Sequence, residues 1–389
     1  MLGSNLANSL VGQEMFAILD RALNIERGGQ KVFHLELGDP ALPAQEKIIN
    51  ETIEGLRGGA WHYGSSAGNL DFRNSLANFN NFFFDSKIVG ENIVVAPANF
   101  FITAFLSLVC DKGDRVLLIT PCFPTYIASA SMLGLEIVEY ATGPENGYIP
   151  KEPIFDLIKK VKPKAIIVNS ANNPTGSLYS EGFLEDLVIA AKNAGSWVLS
   201  DETYGLISYD NKYYSLINSD YDKLVVLSSL SKIFSIPGLR VGYCISRSSI
   251  FIGWLVKYLS TTISCIPPFI QVGCTEYLSD LKGVSNDIQA VNTLYAKRCN
   301  FIFDEIPSLS HLVLRPKSAF YLFLPLPNHI DGKIFSVDLI NSSHVAVTPG
   351  VSFGNDFKSY VRATFCGADE DVIEGIKRVS SAILNLKKL

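Results

Sequence analysis

The 389-residue chain (42.7 kDa) is 48% apolar, 18% charged and 11% aromatic, a composition that suits a globular protein of two or three domains with ample core material. A net charge of −5 without any polybasic run argues against a nucleic-acid or anionic-membrane partner. The longest apolar stretches, such as 100–110, reach about half the ~18 residues a spanning helix needs. The opening MLGSNLANSL lacks the basic start and apolar stretch of a secretory signal, so a cytoplasmic location is expected.

Seven cysteines make an odd number and none forms a C-x-x-C pair, which points to small buried hydrophobes rather than a disulfide framework. The five histidines are scattered, with no H-x-x-x-H or H-E-x-x-H spacing, and no metal site is expected.

In chain order, residues 1–45 read as an N-terminal arm and part of a small domain. From about 92 to 242 short β-branched runs alternate with amphipathic stretches. The apolar runs are 93–96, 115–119, 135–138, 165–169, 196–200, 223–228 and 241–245, with helical patterns between them, such as 180–193 with its Leu184, Leu187, Val188 and Ala191 stripe. Continuous apolar strands separated by helices predict an α/β fold: a mostly parallel seven-stranded sheet covered on both faces. This large domain is assigned to 46–280. A long helical stretch at about 268–304 then leads to candidate strands at 312–314 and 320–324. A helix near 333–340, a strand at 360–365 and a helix from 369 follow. Residues 281–389 form a smaller α+β domain, joined through the segment around 32–43.

Three polar clusters each follow an apolar strand directly: Asn169-Ser-Ala-Asn-Asn-Pro-Thr-Gly176, Asp201-Glu-Thr-Tyr204 and Ser228-Ser-Leu-Ser-Lys232. Ligands of doubly wound sheets bind beyond the carboxyl ends of the strands, so the three clusters should converge on one crevice. Taken singly, each has an ordinary reading: a turn at Asn-Pro-Thr-Gly, a helix cap at Asp201, a solvated charge at Lys232. Three in order at one end of a sheet point to a site.

The run Ser229-Leu-Ser-Lys-Ile-Phe-Ser-Ile-Pro-Gly-Leu-Arg-Val-Gly242 resembles the pyridoxal-phosphate lysine motif of class I/II aminotransferases, the aspartate aminotransferase superfamily of fold type I. Asn172-Asn-Pro-Thr-Gly176, Asp201-Glu-Thr-Tyr204, Tyr63 with Gly68, and Thr348-Pro-Gly350 with Phe353-Gly354 match in the same order, from about Leu35 to the C-terminal helix. The resemblance implies pyridoxal 5'-phosphate as cofactor, bound by the large domain. It also implies transfer of the α-amino group of an L-amino acid to a 2-oxo acid by a ping-pong mechanism. Lys232 would be the Schiff-base lysine and general base. Asp201 would pair with the pyridine nitrogen and favour the protonated, electron-accepting ring. Asn173 and Tyr204 would hydrogen-bond the ring's phenolic oxygen. Ser229, Ser231 and Arg240 would hold the phosphate, Arg240 with a planar fork that lysine lacks.

The turn Ala98-Asn99-Phe100 stands where the family usually carries Gly or Ser; as the start of a helix it can still offer backbone N–H groups to a phosphate. Phe123 matches the aromatic that stacks on the pyridine face. Tyr63 matches the tyrosine that crosses a homodimer interface to the neighbouring phosphate. Arg362 matches the clamp for the substrate α-carboxylate, and Gly38, otherwise a turn glycine before Pro40, the glycine lining the substrate pocket; Asn173 would also face substrate. No second arginine stands at a recognisable position for a side-chain carboxylate.

Two other readings bear on function. Gly64-Ser-Ser-Ala-Gly68 fits the G-x-S-x-G hydrolase pattern with Ser66 as nucleophile, which requires a strand leading in. The alternative on the same cofactor is a β-elimination lyase of C–S lyase type or a decarboxylase. It uses the same residues and differs in which substrate bond is aligned for cleavage.

Overall fold

The computed structural model of the chain describes residues 12–209 and 213–386, together with residues 3, 4, 6, 7 and 10. After α1 (Glu14–Arg27) a short β1 (Phe33–His34) leads to α2 (Glu46–Arg57) and α3 (Leu70–Phe84). The alternating region follows as β2 (Ile93–Ala96), α4 (Ala98–Val109), β3 (Arg115–Thr120), α5 (Pro124–Met132), β4 (Glu136–Ala141), α6 (Pro153–Val161), β5 (Ala165–Val168), α7 (Glu181–Ala194), β6 (Trp197–Asp201), β7 (Leu224–Ser229) and β8 (Gly242–Ile245). All seven predicted apolar runs become strands. Local chemistry sets the helix ends: Ser180 caps α7 by accepting from the Phe183 N–H at 3.3 Å, and Gly195 ends it at φ +75°.

These strands form one sheet in the order β2-β8-β7-β6-β5-β3-β4. β4, β3, β5, β6 and β7 are parallel, whereas β8 runs antiparallel to both β7 and β2. β2 and β5 are buried along their whole length, as strands covered on both faces must be. Register aligns the parallel strand ends: Val168 lies opposite Ser200, and Asp201 opposite Leu227. The three polar clusters therefore leave the sheet side by side.

The remainder is α8 (Ser249–Thr262), α9 (Pro268–Leu278), α10 (Leu281–Glu305), β9 (Tyr321–Pro325), α11 (Gly332–Ser343), β10 (Val345–Ala346), β11 (Thr348–Pro349), β12 (Tyr360–Thr364) and α12 (Asp369–Leu386). β11-β12-β9 is an antiparallel sheet, and β1 pairs in parallel with β10, tying the N-terminal segment to the C-terminal part of the chain.

Two expected elements differ. The helix expected over 268–304 is two helices, because Asp280 caps a new start by accepting from the Gly283 N–H at 3.0 Å. The strand expected at 312–314 does not form. A 3₁₀ turn over Pro307–His311 precedes it, and the N–H groups of Leu312 and Val313 both bond back to the Leu309 carbonyl. Gly64 to Gly68 lies in a loop entered from turns rather than from a strand, so the hydrolase reading has no strand-to-helix elbow to stand on. No helix among the described residues is long and apolar enough to cross a membrane.

Candidate active site

A cavity of about 490 Å³ opens beyond the carboxyl ends of β5, β6 and β7. Twelve residues singled out from the sequence line it: Gly38, Ala98, Asn99, Phe123, Asn173, Asp201, Tyr204, Ser229, Ser231, Lys232, Arg240 and Arg362. Two do not. The Phe100 ring packs 5.7 Å from Tyr258, and its N–H donates to the Pro97 carbonyl at 3.0 Å, so of the Ala98-Asn99-Phe100 turn only the first two residues face the cavity. Tyr63 is 90% exposed on the outer surface.

Lys232 projects from the loop after β7. That loop is folded back on β8: Ser229 Oγ donates to the Val241 carbonyl at 2.9 Å and accepts the Ser231 N–H at 3.1 Å, while the Leu230 N–H donates to Val241 at 3.2 Å. Lys232 Nζ donates to the Gly38 carbonyl at 2.5 Å. Burial foremost pushes its amine below the ordinary lysine range, against the pull of Cys366 and Asp39. A lysine so placed holds more of the neutral, nucleophilic form at neutral pH.

Asp201, the last residue of β6, is buried. One oxygen accepts from Tyr126 Oη at 2.6 Å; the other accepts from the Thr203 N–H at 3.1 Å and Oγ1 at 2.7 Å. Burial raises its pKa nevertheless, the signature of a carboxylate that lacks a cation. Behind it, buried Glu202 accepts from Ser200 Oγ (2.8 Å), Ser215 Oγ (2.5 Å) and the Leu216 N–H (3.0 Å), with its pKa raised to about 7 by burial. Asn169 Nδ2 donates to the Asp201 carbonyl at 2.8 Å and its Oδ1 accepts the Asn173 N–H at 2.9 Å, so the first polar cluster is bonded to the second.

Arg362, in the middle of β12, is 1% exposed. It donates to Asn173 Oδ1 at 3.2 Å, to Thr348 Oγ1 at 3.3 Å and to the Glu36 carbonyl. Its guanidinium carbon stands 4.7 Å from the Tyr321 ring centroid and 5.1 Å from that of Phe353. Its Nε is buried without a partner, a donor already desolvated and aimed. Tyr204 Oη meets Tyr321 Oη at 2.6 Å, and burial raises the Tyr204 pKa far above the ordinary range, keeping it a phenol. A Cβ on Gly38 would stand 2.2 Å from Tyr321 Oη, so only glycine lets this segment pass so close.

Arg240 follows a 3₁₀ turn in left-handed backbone (φ +59°) and donates to the Pro237 carbonyl at 3.1 Å, with no carboxylate partner among the described residues. A Cβ on Gly242 would meet the Ala98 nitrogen at 2.7 Å, so glycine keeps β8 in close approach to the start of α4. Phe123, at the N-cap of α5, stands edge-on to Tyr126 with centroids 5.7 Å apart.

Sequence reasoning missed several cavity residues: Gln13, Met15 and Phe16 of the N-terminal segment, Asp39, Tyr126, Thr203 and Tyr321. Tyr126 carried a usable signal, because a tyrosine one helical turn past Phe123 shares its face and a buried hydroxyl needs a partner. Thr203 and Asp39 stand beside Asp201 and Gly38, and the rest are brought in by contacts across the chain.

These groups fit pyridoxal 5'-phosphate. A buried carboxylate without a cation suits a protonated ring nitrogen, and a desolvated amine suits a carbonyl carbon. The Arg240 guanidinium, the Ser231 hydroxyl and the α4 N-terminus converge on the cavity as an anion cradle.

The family model for aminotransferase class I and II matches residues 30–379. The chain is 29% identical over 380 residues to a (5-formylfuran-3-yl)methyl phosphate transaminase of Methanocaldococcus jannaschii, covering 96% of this chain and 98% of that one. It is 28% identical over 385 residues to an aspartate aminotransferase of Musicola paradisiaca, covering 95% and 94%. The crystal structure of aspartate aminotransferase from Thermotoga maritima superposes with a TM-score of 0.88 at 26% identity, over 98% of this chain and 100% of that one. Together with the cavity these matches favour amino-group transfer over elimination or decarboxylation. The chain belongs to the class I and II aminotransferases, fold type I enzymes that transfer an amino group with pyridoxal 5'-phosphate.

Proposed function

We propose that Lys232 is the covalent anchor of the cofactor and the base that takes and returns the substrate Cα proton. One observation carries this: the Lys232 amine is part-buried, with its pKa lowered, in the same cavity as the cation-lacking Asp201 and the half-satisfied Arg362. The cofactor supplies an electron sink for the pair left when that proton departs. Asp201, fixed by Tyr126 and Thr203, would hold the proton on the ring nitrogen. Asn173 and Tyr204 would bond the ring's phenolic oxygen, and Phe123 would cover a ring face. Arg240, Ser231 and the backbone N–H groups of Ala98 and Asn99 would receive the phosphate. Ser229, whose hydroxyl is committed to Val241 and Ser231, shapes this turn. Arg362 grips the substrate α-carboxylate with the N–H groups that protein acceptors leave free.

Borohydride reduction of the holoenzyme followed by peptide mass analysis tests the anchor: the cofactor mass should stay on the peptide holding Lys232. Lys232→Ala should lose turnover by at least about 10⁴-fold while keeping the fold. A variant that keeps full turnover ends this reading.

We also propose that the active unit is a homodimer, with Tyr63 reaching the neighbouring site. On α2 Ile49, Ile53 and Leu56 stand out of the surface at helical spacing, and Trp61, Tyr63 and Leu70 are exposed beyond them in sequence. Sedimentation at micromolar concentration should give about twice the 42.7 kDa chain mass. A fully active monomer would refute it.

A further inference from the structure

Glu36 has a fully buried side chain and no part in the assignments above. It lies two residues beyond His34, and extended backbone turns residues i and i+2 to the same side. Glu36 Oε1 meets His34 Nδ1 at 2.8 Å, while Oε2 is buried without a partner. His34 Nε2 reaches Glu26 Oε1 of α1 at 3.2 Å. A carboxylate buried this deeply withstands its desolvation by pairing, and His34 is the partner the fold provides.

The backbone of the same short segment touches both functional cations. The Glu36 carbonyl accepts from Arg362 Nη2 and from Thr348 Oγ1 (2.8 Å). The Leu37 carbonyl accepts from Thr364 Oγ1 at 3.1 Å, and the Gly38 carbonyl from Lys232 Nζ at 2.5 Å. Three successive carbonyls thus face β11, β12 and Lys232. Wherever the His34–Glu36 pair holds residue 36, the Arg362 guanidinium is held too.

We propose that the His34–Glu36 ion pair is the positioning device of the substrate-carboxylate clamp. By fixing the Glu36 carbonyl it commits Arg362 Nη2 to the protein and orients the remaining guanidinium N–H groups for the incoming carboxylate. The proposal rests on Arg362 being that clamp. Neither His34 nor Glu36 lines the cavity, so both act through Arg362.

The other charged groups around this pair are already engaged. On α12 Asp371 pairs with Lys31 at 2.5 Å, and Glu374 with Arg378 at 2.8 Å, the Arg378 guanidinium lying 4.5 Å from the Phe33 ring centroid. His344 immediately precedes β10, the strand that pairs with β1. The hydrogen bond with Glu36 is the main cause that raises the His34 pKa to about 9, so the imidazole is charged at neutral pH.

The test compares Glu36→Gln, His34→Gln and Arg362→Gln holoenzymes with the parent. Glu36→Gln keeps shape and removes charge, and His34→Gln, at a part-exposed position, backs it up should the first fail to fold. Both should raise KM for amino donor and 2-oxo acid about tenfold with kcat within about threefold, the pattern of lost uniform binding. Calorimetric affinity for the unreactive carboxylate 3-phenylpropionate should weaken by a similar factor. Unchanged KM and affinity in folded Glu36→Gln and His34→Gln, with Arg362→Gln impaired, would overturn the positioning role alone. An unimpaired Arg362→Gln would overturn the clamp and this proposal with it. A fall in kcat at constant KM would assign the pair to Lys232 instead.

Discussion

The two walls of the cavity are built in opposite ways. The wall formed by the seven-stranded sheet takes Asp201, Ser229 and Lys232 from the points where parallel strands end, each a residue or a few beyond a buried apolar run. The facing wall joins segments far apart in the chain: Arg362 to Glu36 across 326 residues, Lys232 to Gly38 across 194, Tyr204 to Tyr321 across 117. The first wall is fixed by local order, since register aligns the strands and the polar clusters emerge together. The second exists only once β1 has paired with β10 and β11 with β12. The sheet wall carries groups suited to cofactor and proton transfer, and the facing wall carries groups suited to gripping substrate.

Substitutions should divide along the same line, with the sheet wall expressed in kcat and the facing wall in KM. The largest effect after Lys232 is expected at Asp201. Asp201→Asn keeps the shape and the chance to bond Tyr126 and Thr203 but removes the charge that would hold the ring nitrogen protonated. Turnover should fall about 10²–10⁴-fold with the fold retained, read from single-turnover kinetics beside a thermal melt. The unliganded variant should melt no lower than the parent, because a buried carboxylate whose pKa is raised by desolvation costs stability until a cation joins it. Activity within tenfold of the parent, or a loss confined to KM, would erase the division between the walls.

What the sequence made legible follows the same division. Strands read clearly because strands covered on both faces, such as β2 and β5, must be continuous apolar runs, and sites at their ends read clearly because polar clusters interrupt those runs. Residue types with one backbone answer also read well: Arg240 and Ser231 in the loop after β7 both face the cavity. The failures are tertiary. Residues 312–314 are apolar enough for a strand but have no strand neighbour, and the Leu309 carbonyl of a 3₁₀ turn takes the N–H groups of Leu312 and Val313. Phe100 lies one residue too far along α4, where helical rotation turns its ring to Tyr258. Glu36 and Tyr321 are silent in sequence, because a lone glutamate just past a short strand reads as surface and a strand tyrosine as core. Their roles depend on Arg362 arriving from β12 and Tyr204 from the loop after β6.

The smallest expected effect probes the facing wall alone, through pH. The His34 pKa is raised from 6.5 to about 9 in the folded chain, chiefly by its hydrogen bond with Glu36 and further by Glu26. A group whose pKa rises on folding adds stability in full below its unfolded value and loses it as pH climbs through the folded one. The pair therefore supports the fold fully below about pH 6.5, and progressively less until its contribution is gone above about pH 9. His34→Gln lacks this titration, so its melting temperature should lie below the parent's at pH 6 and converge with it above pH 9. The gap should be on the order of 1–3 °C, since the imidazole is 35% exposed and solvent screens part of the attraction. KM for a 2-oxo acid, which carries no titrating amine of its own, should rise in the parent around pH 9, where the folded imidazole loses its charge, and stay flat in the variant. A gap that stays constant from pH 6 to 9.5 would mean that Glu36 is not held by an ionised partner. The facing wall would then owe its alignment to hydrogen bonds without an ion pair, such as those of Arg362 with Asn173 and Thr348, as the sheet wall owes its own to those of Asp201 and Ser229.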